Sequence, residues 1–182
     1  LFTGGTISMS EDPATGALRP IDFARLQEYM PELKQTGVHI KSIPFLPLID
    51  SSDIQPDTWV KLALTIQEHY DEFDGFVVLH GTDTMAHTAS ALSFMLENLS
   101  KPVIFTGAQL PIGMMRSDAK ENLLTSIEIA SAKENGLPIV PEVCIFFEDT
   151  LFRGNRTTKH SAEHFNAFSS FNYPHLAKAG VH

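Results

Sequence analysis

The chain has 182 residues, of which 43% are hydrophobic and 19% are charged, and its formal net charge is −9 at pH 7. This length suits one α/β domain with a core large enough to fold without disulfides. The negative charge gives no electrostatic support to nucleic-acid binding. A single cysteine, Cys144, excludes a disulfide framework. No apolar run is long enough to predict a membrane span.

The chain opens with two apolar residues, Leu1 and Phe2, followed by the sequence Thr-Gly-Gly-Thr over 3–6. We interpret the opening as the end of a first strand, and because two residues are too short for a strand, we expect residues upstream. The two glycines allow the backbone to approach a ligand closely, although an ordinary Gly-rich turn would look the same. Residues 8–19 are polar and predict a mobile loop that could act as a lid.

Residues 22–29 predict a short helix, and the alternation over 38–45 predicts a half-buried strand that ends near Pro44. The sequence Asp-Ser-Ser-Asp over 50–53 has two interpretations. Asp53 could cap a helix that begins near Pro56, or the two hydroxyls and two carboxylates could form a polar cradle for a small zwitterion. The local pattern alone favours capping.

A helix is predicted over 56–70, and the apolar run Phe76–Leu79 predicts a buried strand. The turn His80-Gly-Thr-Asp over 80–83 follows, and apolar periodicity predicts a helix over 85–99. Thr82 and Asp83 therefore lie between a strand and a helix, where ligands often bind in α/β sheets. Taken alone, they are more simply helix-capping residues.

Two further strands and one helix complete the pattern. The predicted elements are the strand Val103–Thr106, a turn at 107–111, a helix over 117–132 stopped by Gly136, the strand Val143–Phe147 and a basic polar loop over 153–159. Connections between parallel strands are expected to be right-handed. The alternation of strands and helices predicts a three-layer α/β/α fold with a mostly parallel, doubly wound sheet.

Three turns, at 3–6, 80–83 and 106–108, follow predicted parallel strands, so we expect them to meet at one edge of the sheet. Their convergence brings two threonines and an aspartate together. A threonine hydroxyl is a poor nucleophile without a base, and a lysine of lowered pKa can act as that base. The histidines show no metal-ligand spacing of the HExxH type, so neither a metal nor another cofactor is predicted.

These motifs resemble the bacterial-type L-asparaginase family, particularly its cytoplasmic type I branch. The two signatures are Thr-Gly-Gly-Thr-Ile over 3–7 and His-Gly-Thr-Asp-Thr-Met over 80–85, supported by the segments 50–53, 106–108 and 153–159. The resemblance covers essentially the whole chain. It implies hydrolysis of L-asparagine to L-aspartate and ammonia, without a cofactor, in the cytoplasm.

The resemblance also implies residue roles. Thr6 would be the nucleophile, with Thr82, Asp83 and Lys159 handling protons. The backbone N–H groups of Thr6 and Thr82 would form the oxyanion hole. The residues implied in substrate binding are Ser51, Ser52, Asp53, Thr82, Asp83 and the carbonyl of Ala108.

Two departures from the family pattern stand out. The family has a tyrosine in the loop after its first motif, whereas the tyrosines here are Tyr29, Tyr70 and Tyr173. Family members also continue into a smaller C-terminal domain and assemble as homodimers or homotetramers. We therefore expect residues 1–182 to be the N-terminal catalytic domain, folded but inactive or weak alone.

Two alternatives remain. The chain could be the glutaminase subunit of an archaeal-type tRNA-dependent amidotransferase, which shares these motifs. It could also be a module that binds aspartate or asparagine without catalysis.

Overall fold

The computed structural model describes residues 1–12 and 14–180. Its helices are α1 (Phe23–Tyr29), α2 (Pro56–Glu68), α3 (Met85–Met95) and α4 (Ala119–Ser131). Its strands are β1 (Met9–Glu11), β2 (Leu18–Pro20), β3 (Phe76–Leu79), β4 (Val103–Thr106), β5 (Lys133–Glu134), β6 (Leu137–Pro138), β7 (Val143–Phe147), β8 (Thr150–Arg153), β9 (Thr158–Lys159), β10 (Phe168–Ser169) and β11 (Ala177–Lys178). Short 3₁₀ helices span Thr6–Ser8, Pro31–Gln35, Ser51–Asp53 and Gly154–Arg156.

The central sheet has the strand order β11-β8-β7-β4-β3. Strands β3, β4 and β7 are parallel, whereas β8 pairs antiparallel with β7 and β11 pairs antiparallel with β8. Beyond β3, Phe2 makes parallel bridges to Leu79 and to Pro44. The predicted end of a first strand is thus represented only by isolated bridges at Phe2, and these bridges place the first glycine-containing turn beside the end of β3.

Helices cover both faces of this sheet. Alternate residues of β3 explain why, since Phe76 and Val78 pack with α2 and α3, whereas Val77 and Leu79 face the cluster that contains α1 and α4. The parallel strands are buried on both sides, as continuous apolar runs in such strands require. The α/β class with helices on both faces of a sheet is therefore confirmed.

The two crossovers between the parallel strands have opposite hands. The chain moves in one direction across the sheet from β3 to β4 to β7, yet α3 lies on one face and α4 on the other. A fixed direction of progress with helices on opposite faces requires one right-handed and one left-handed connection. The right-handed expectation thus holds for only one of the two crossovers.

Several predicted local structures were wrong. Residues 38–45 form no strand beyond the bridge at Pro44, because their backbone pairs only with Phe2, through Phe2 N–H to Ile43 O and Phe45 N–H to Phe2 O. The segment predicted as a loop contains two strands, since β1 and β2 pair as an antiparallel hairpin, and its predicted mobility stays a prediction.

Two predicted helix ends also moved. α3 stops at Met95, four residues before the predicted end, and Asn98 in the following segment takes a φ of 54° that a helix does not allow. Gly136 does not end α4, which stops at Ser131. Asn135 and Gly136, with φ of 51° and 82°, form instead the two-residue turn between β5 and β6. Asn-Gly favours that turn because both positions need a positive φ.

The packing of α4 on β3 leaves no space for a side chain at Gly75. A Cβ there would overlap the carbonyl oxygen of Ala130 and lie 2.9 Å from Cγ of Pro102. We expect Gly75→Ala to lower the free energy of unfolding in urea by about 2 kcal/mol, as overpacking typically does. Gly113→Ala is the matched control, because the atoms nearest to its Cβ would be those of the Tyr29 side chain, at an ordinary contact distance of 3.6 Å or more. Equal stability of the two variants would contradict this account of the packing.

Candidate active site

The three predicted turns meet at the carboxyl ends of the parallel strands. A Cβ on Gly5 would lie 2.5 Å from Cα of Gly81, and one on Gly107 would overlap the carbonyl oxygen of His80. Gly5 also has a φ of 90°, which side-chain-bearing residues rarely adopt. Contact between the turns therefore depends on glycine.

Lys159 joins two residues of the second turn. Its Nζ donates to Thr82 Oγ1 at 2.8 Å and to Asp83 Oδ1 at 2.7 Å. The lysine side chain is only 13% exposed, whereas that of Asp83 is 63% exposed. The ammonium is thus held against a buried hydroxyl, while the carboxylate keeps a face that can contact another molecule. The structure brings together three of the four residues for which the sequence implied a catalytic role.

The fourth, Thr6, begins the 3₁₀ helix directly after Gly5 and is half-buried. Ser8 ties this turn together, since its backbone N–H and its hydroxyl both donate to the carbonyl of Gly5, at 3.0 and 2.6 Å. Because Gly5 touches Gly81, the backbone of Thr6 lies beside the turn that carries Thr82. The first and second turns therefore form one continuous surface.

The 50–53 segment lies against the second turn. A Cβ on Gly81 would come within 2.5 Å of Ser51 Oγ, and Thr84 Oγ1 donates to the carbonyl of Ser51 at 2.7 Å. Ser51 is buried, whereas Ser52 and Asp53 are exposed. The buried hydroxyl is therefore the member of this segment that lies closest to Gly81.

The prediction that Asp53 caps the helix beginning at Pro56 was wrong. Asp50 caps the 3₁₀ helix, because its carboxylate accepts from the N–H and the hydroxyl of Ser52 at 3.0 and 2.9 Å. These hydrogen bonds lower the pKa of Asp50. The residue before α2 is Gln55, which makes no side-chain cap, so Asp53 does not cap that helix.

The third turn is held by the start of α4. The carboxylate of Asp118 accepts from the N–H groups of Gln109 and Leu110 at 2.9–3.1 Å. Asn122 is fully buried, donates to the carbonyl of Gly107 at 2.9 Å and accepts from the N–H of Glu148 at 2.8 Å. These bonds fix the backbone around Ala108, which is itself buried.

Sequence reasoning missed Gln109, Asp118 and Asn122. Gln109 accepts from Thr82 Oγ1 at 3.2 Å and donates to the carbonyls of Ala162 and His164 at 3.2 and 3.0 Å. It therefore links the second turn to the segment that follows Lys159. Asn122 could have been found from the sequence, because it is an amide side chain directly before the inward-facing Leu123 of an amphipathic helix.

His80 points into the core. Its ring is fully buried, with Nδ1 at 2.6 Å from the carbonyl of Gly81 and Nε2 at 3.0 Å from Thr88 Oγ1. Burial lowers the pKa of His80 to about 4. The imidazole is therefore neutral over the physiological range.

Cysteine and metal chemistry receive no structural support. Cys144 is buried in β7, and burial raises the pKa of its thiol. Within residues 1–12 and 14–180, no group of three or more histidine, cysteine, aspartate or glutamate side chains could hold a metal ion. Over the same residues, no helix is long and apolar enough to cross a membrane.

Comparison with known proteins identifies the family. The domain described as "Asparaginase, N-terminal" matches residues 1–182. The chain belongs to the asparaginase family. It is 49% identical to L-asparaginase 1 of Escherichia coli K12 over 187 residues, an alignment that covers 100% of this chain and 52% of the relative.

A solved structure and a second class of relative extend the comparison. L-asparaginase I from Vibrio cholerae superposes with a TM-score of 0.85 at 44% identity, covering 100% of this chain and 53% of that one. The glutamyl-tRNA(Gln) amidotransferase subunit of Pyrococcus abyssi is 38% identical over 185 residues, which cover 97% of this chain and 40% of that relative. The chain thus spans about half the length of the asparaginases it matches, and its resemblance to the type I branch is confirmed.

The buried histidine makes stability depend on pH. The pKa of His80 falls from 6.5 to about 4 on folding, so below pH 6.5 the unfolded chain binds a proton that the folded chain does not. We expect the free energy of unfolding to be independent of His80 protonation above pH 6.5. As the pH falls from 6.5 to 4, protonation of His80 in the unfolded chain should lower this free energy by about 3 kcal/mol. Urea denaturation across this range measures it. The same measurement on His80→Asn gives the pH dependence that other groups, such as carboxylates, contribute in this pH range. Parallel pH profiles of the free energy of unfolding for both proteins would contradict the expectation.

Proposed function

We propose that the chain forms the catalytic half of an L-asparaginase, which hydrolyses L-asparagine to L-aspartate and ammonia. The observation that carries this proposal is the contact of Lys159 with both Thr82 and Asp83, beside the glycine turn that presents Thr6. Membership of the asparaginase family and the whole-chain similarity to L-asparaginase 1 support it.

In the proposed reaction, Thr6 Oγ attacks the carbon of the substrate's side-chain carboxamide. The hydroxyl proton of Thr6 passes to Thr82 Oγ1 while the Thr82 hydroxyl proton passes to Lys159 Nζ, which must be a neutral amine for this step, and the carbonyl oxygen becomes an oxyanion. Backbone N–H groups of Thr6 and Thr82 donate to that oxyanion, and each such donor contributes on the order of 3 kcal/mol to lowering the barrier.

The tetrahedral intermediate collapses when the C–N bond breaks, and the nitrogen takes a proton as it leaves as ammonia. An ester between Thr6 and the aspartyl group remains. Water then attacks this ester, gives up a proton through the same Thr82–Lys159 pair and releases L-aspartate with the hydroxyl of Thr6 restored. Each carbon–oxygen and carbon–nitrogen bond that forms or breaks joins atoms of substrate, water and Thr6, whereas Thr82 and Lys159 transfer only protons, so the scheme uses no cofactor.

We assign substrate contacts from the positions of the surrounding groups. The exposed carboxylate of Asp83 has the charge to accept the α-ammonium group, and the buried Ser51 lies where it can donate to the α-carboxylate. Ser52 and Asp53 border this position. The carbonyl of Ala108, in the turn fixed by Asp118 and Asn122, accepts from the amide that is cleaved.

The wider assembly belongs to the same proposal. We assign to the protein a second, smaller domain, a homodimer or homotetramer that completes the site, and a cytoplasmic location, where one unpaired cysteine is stable. Tyr29 ends α1, and its ring borders Gly113. The hairpin β1–β2 itself contains no tyrosine.

The second candidate function is release of ammonia from glutamine as the glutaminase component of a tRNA-dependent amidotransferase, which the similarity to the Pyrococcus abyssi protein favours. Both functions use the same groups, so the substrate and the requirement for a partner distinguish them. Ammonia release from glutamine that depends on a partner protein would support the amidotransferase.

The test is ammonia release from L-asparagine by the chain alone and by the chain fused to the second half of the Escherichia coli relative. We expect the fusion to be active and the chain alone to be inactive or weak. Thr6→Ala and Lys159→Met should each lower kcat by about a thousandfold or more. Lys120→Met is the matched control, because that lysine is 46% exposed on α4 and pairs with Glu32.

Other outcomes have defined meanings. Near-normal turnover by residues 1–182 would contradict the need for a second domain. Calorimetric binding of L-aspartate without turnover in the fusion would instead support a module that binds without catalysis.

A further inference from the structure

The mechanism above leaves one buried polar network unused, and that network ends at the second turn. Trp59 Nε1 donates to Thr88 Oγ1 at 3.1 Å, Thr88 Oγ1 lies 3.0 Å from His80 Nε2, and His80 Nδ1 lies 2.6 Å from the carbonyl of Gly81. Both Thr88 and His80 are fully buried. The chain of hydrogen bonds therefore runs from α2 through α3 to the backbone immediately before Thr82.

Chemistry fixes the direction of every bond in this network. The indole of Trp59 only donates and the carbonyl of Gly81 only accepts. His80 must therefore carry its proton on Nδ1, and its bare Nε2 accepts the hydroxyl proton of Thr88. No other arrangement of a neutral imidazole satisfies both ends.

The bond to Gly81 orients an N–H group as well as a carbonyl. In a planar trans peptide the C=O and the N–H point in opposite directions. The carbonyl of Gly81 points inward to the His80 ring, so the N–H of Thr82 points outward, away from the core. This N–H has no acceptor among residues 1–12 and 14–180.

A glycine on one side of this peptide makes the constraint important. Gly81 has no Cβ to restrict its dihedral angles, so the plane of the Gly81–Thr82 peptide is intrinsically free to rotate. Space requires glycine there, because a Cβ would lie 2.5 Å from Ser51 Oγ. Rigidity must come from a bond to the peptide itself, and the Nδ1–H of His80 supplies one.

We propose that His80 is a positioning residue, whose Nδ1–H bond to the carbonyl of Gly81 holds the Thr82 N–H toward the oxyanion of the reaction. The proposal rests on the proposed function for the identity of the oxyanion. The orientation of the peptide rests on geometry alone. His80 touches no substrate atom and transfers no proton.

Two amide variants separate the two nitrogen positions of the ring. The amide of asparagine reaches the position of Nδ1, so His80→Asn keeps a donor for Gly81 and loses the bond to Thr88. The amide of glutamine reaches the position of Nε2, so His80→Gln keeps the bond to Thr88 and loses the donor. Both remove the ring that contacts Phe105 edge-on at a centroid distance of 5.8 Å.

For ammonia release by the active fusion, we expect His80→Gln to lower kcat by on the order of 10- to 100-fold with KM within about threefold, since loss of one oriented donor acts on the transition state. His80→Asn should recover most of kcat, although both variants lose similar stability in urea. His87→Gln is the matched control on an exposed histidine. Equal losses of kcat in the two His80 variants, or an unaffected His80→Gln, would overturn the proposal.

Nuclear magnetic resonance of the 182-residue chain tests the geometry without activity. In the ¹⁵N-labelled wild-type chain we expect His80 to carry its proton on Nδ1 at pH 7, and the backbone amide signal of Thr82 to shift in His80→Gln but not in His80→Asn. A proton on Nε2 would overturn the proposal even if both variants fail to fold. If the wild-type fusion releases no ammonia from asparagine, the proposed function fails, and the Thr82 signal still decides whether His80 orients the peptide.

Discussion

Contact between backbones at the end of the sheet is the constraint on which the rest of the site depends. Three turns from distant parts of the sequence approach so closely that a Cβ at Gly5 or Gly107 would overlap a neighbouring turn, and a Cβ at Gly81 would overlap the side chain of Ser51. Glycine removes the steric barrier but provides no interaction that would hold the turns in place. Hydrogen bonds from other elements must therefore define the geometry that glycine permits.

Polar side chains supply that definition, of which Asn122 and His80 are fully buried and Asp118 is half-buried. Asp118 and Asn122 hold the third turn from α4, and His80 holds the second turn from beneath. Each satisfies backbone groups that would otherwise be buried without a partner, which costs roughly 1–3 kcal/mol per group. The same side chains therefore serve both the stability of the fold and the geometry of the site, because the groups that satisfy backbone polar atoms also orient the backbone of the site.

Sequence patterns predicted the parts of the fold that short-range periodicity determines. Apolar runs correctly indicated the strands β3, β4 and β7 and the helix α2. The glycine-containing turns that follow strands were the basis for predicting that Thr6, Thr82 and Asp83 lie near one another. The segment 38–45 failed because alternation says nothing about whether a partner strand is available. The hand of the crossovers failed for a similar reason, since handedness depends on which face each helix covers.

The residues that sequence reasoning missed share one property. Gln109, Asp118 and Asn122 act through backbone groups of other segments, and no spacing in the sequence records which carbonyl or N–H they contact. Lys159 was found only because a family resemblance pointed to it. Its partners Thr82 and Asp83 lie 77 and 76 residues earlier, far beyond the reach of local patterns.

This separation along the chain has a kinetic consequence. The turn at 80–83 can form as soon as β3 and α3 pack. Its partner Lys159 lies in β9, which follows α4, β7 and β8 along the chain. Closing a loop of that length costs conformational entropy before any contact compensates for it, so long-range contacts of this kind tend to form late in folding. A newly made chain would therefore pass through states in which the sheet exists and the carboxylate of Asp83 has no counter-ion from Lys159. The Lys159–Asp83 ion pair would then form only after the parallel strands β3, β4 and β7 are in place.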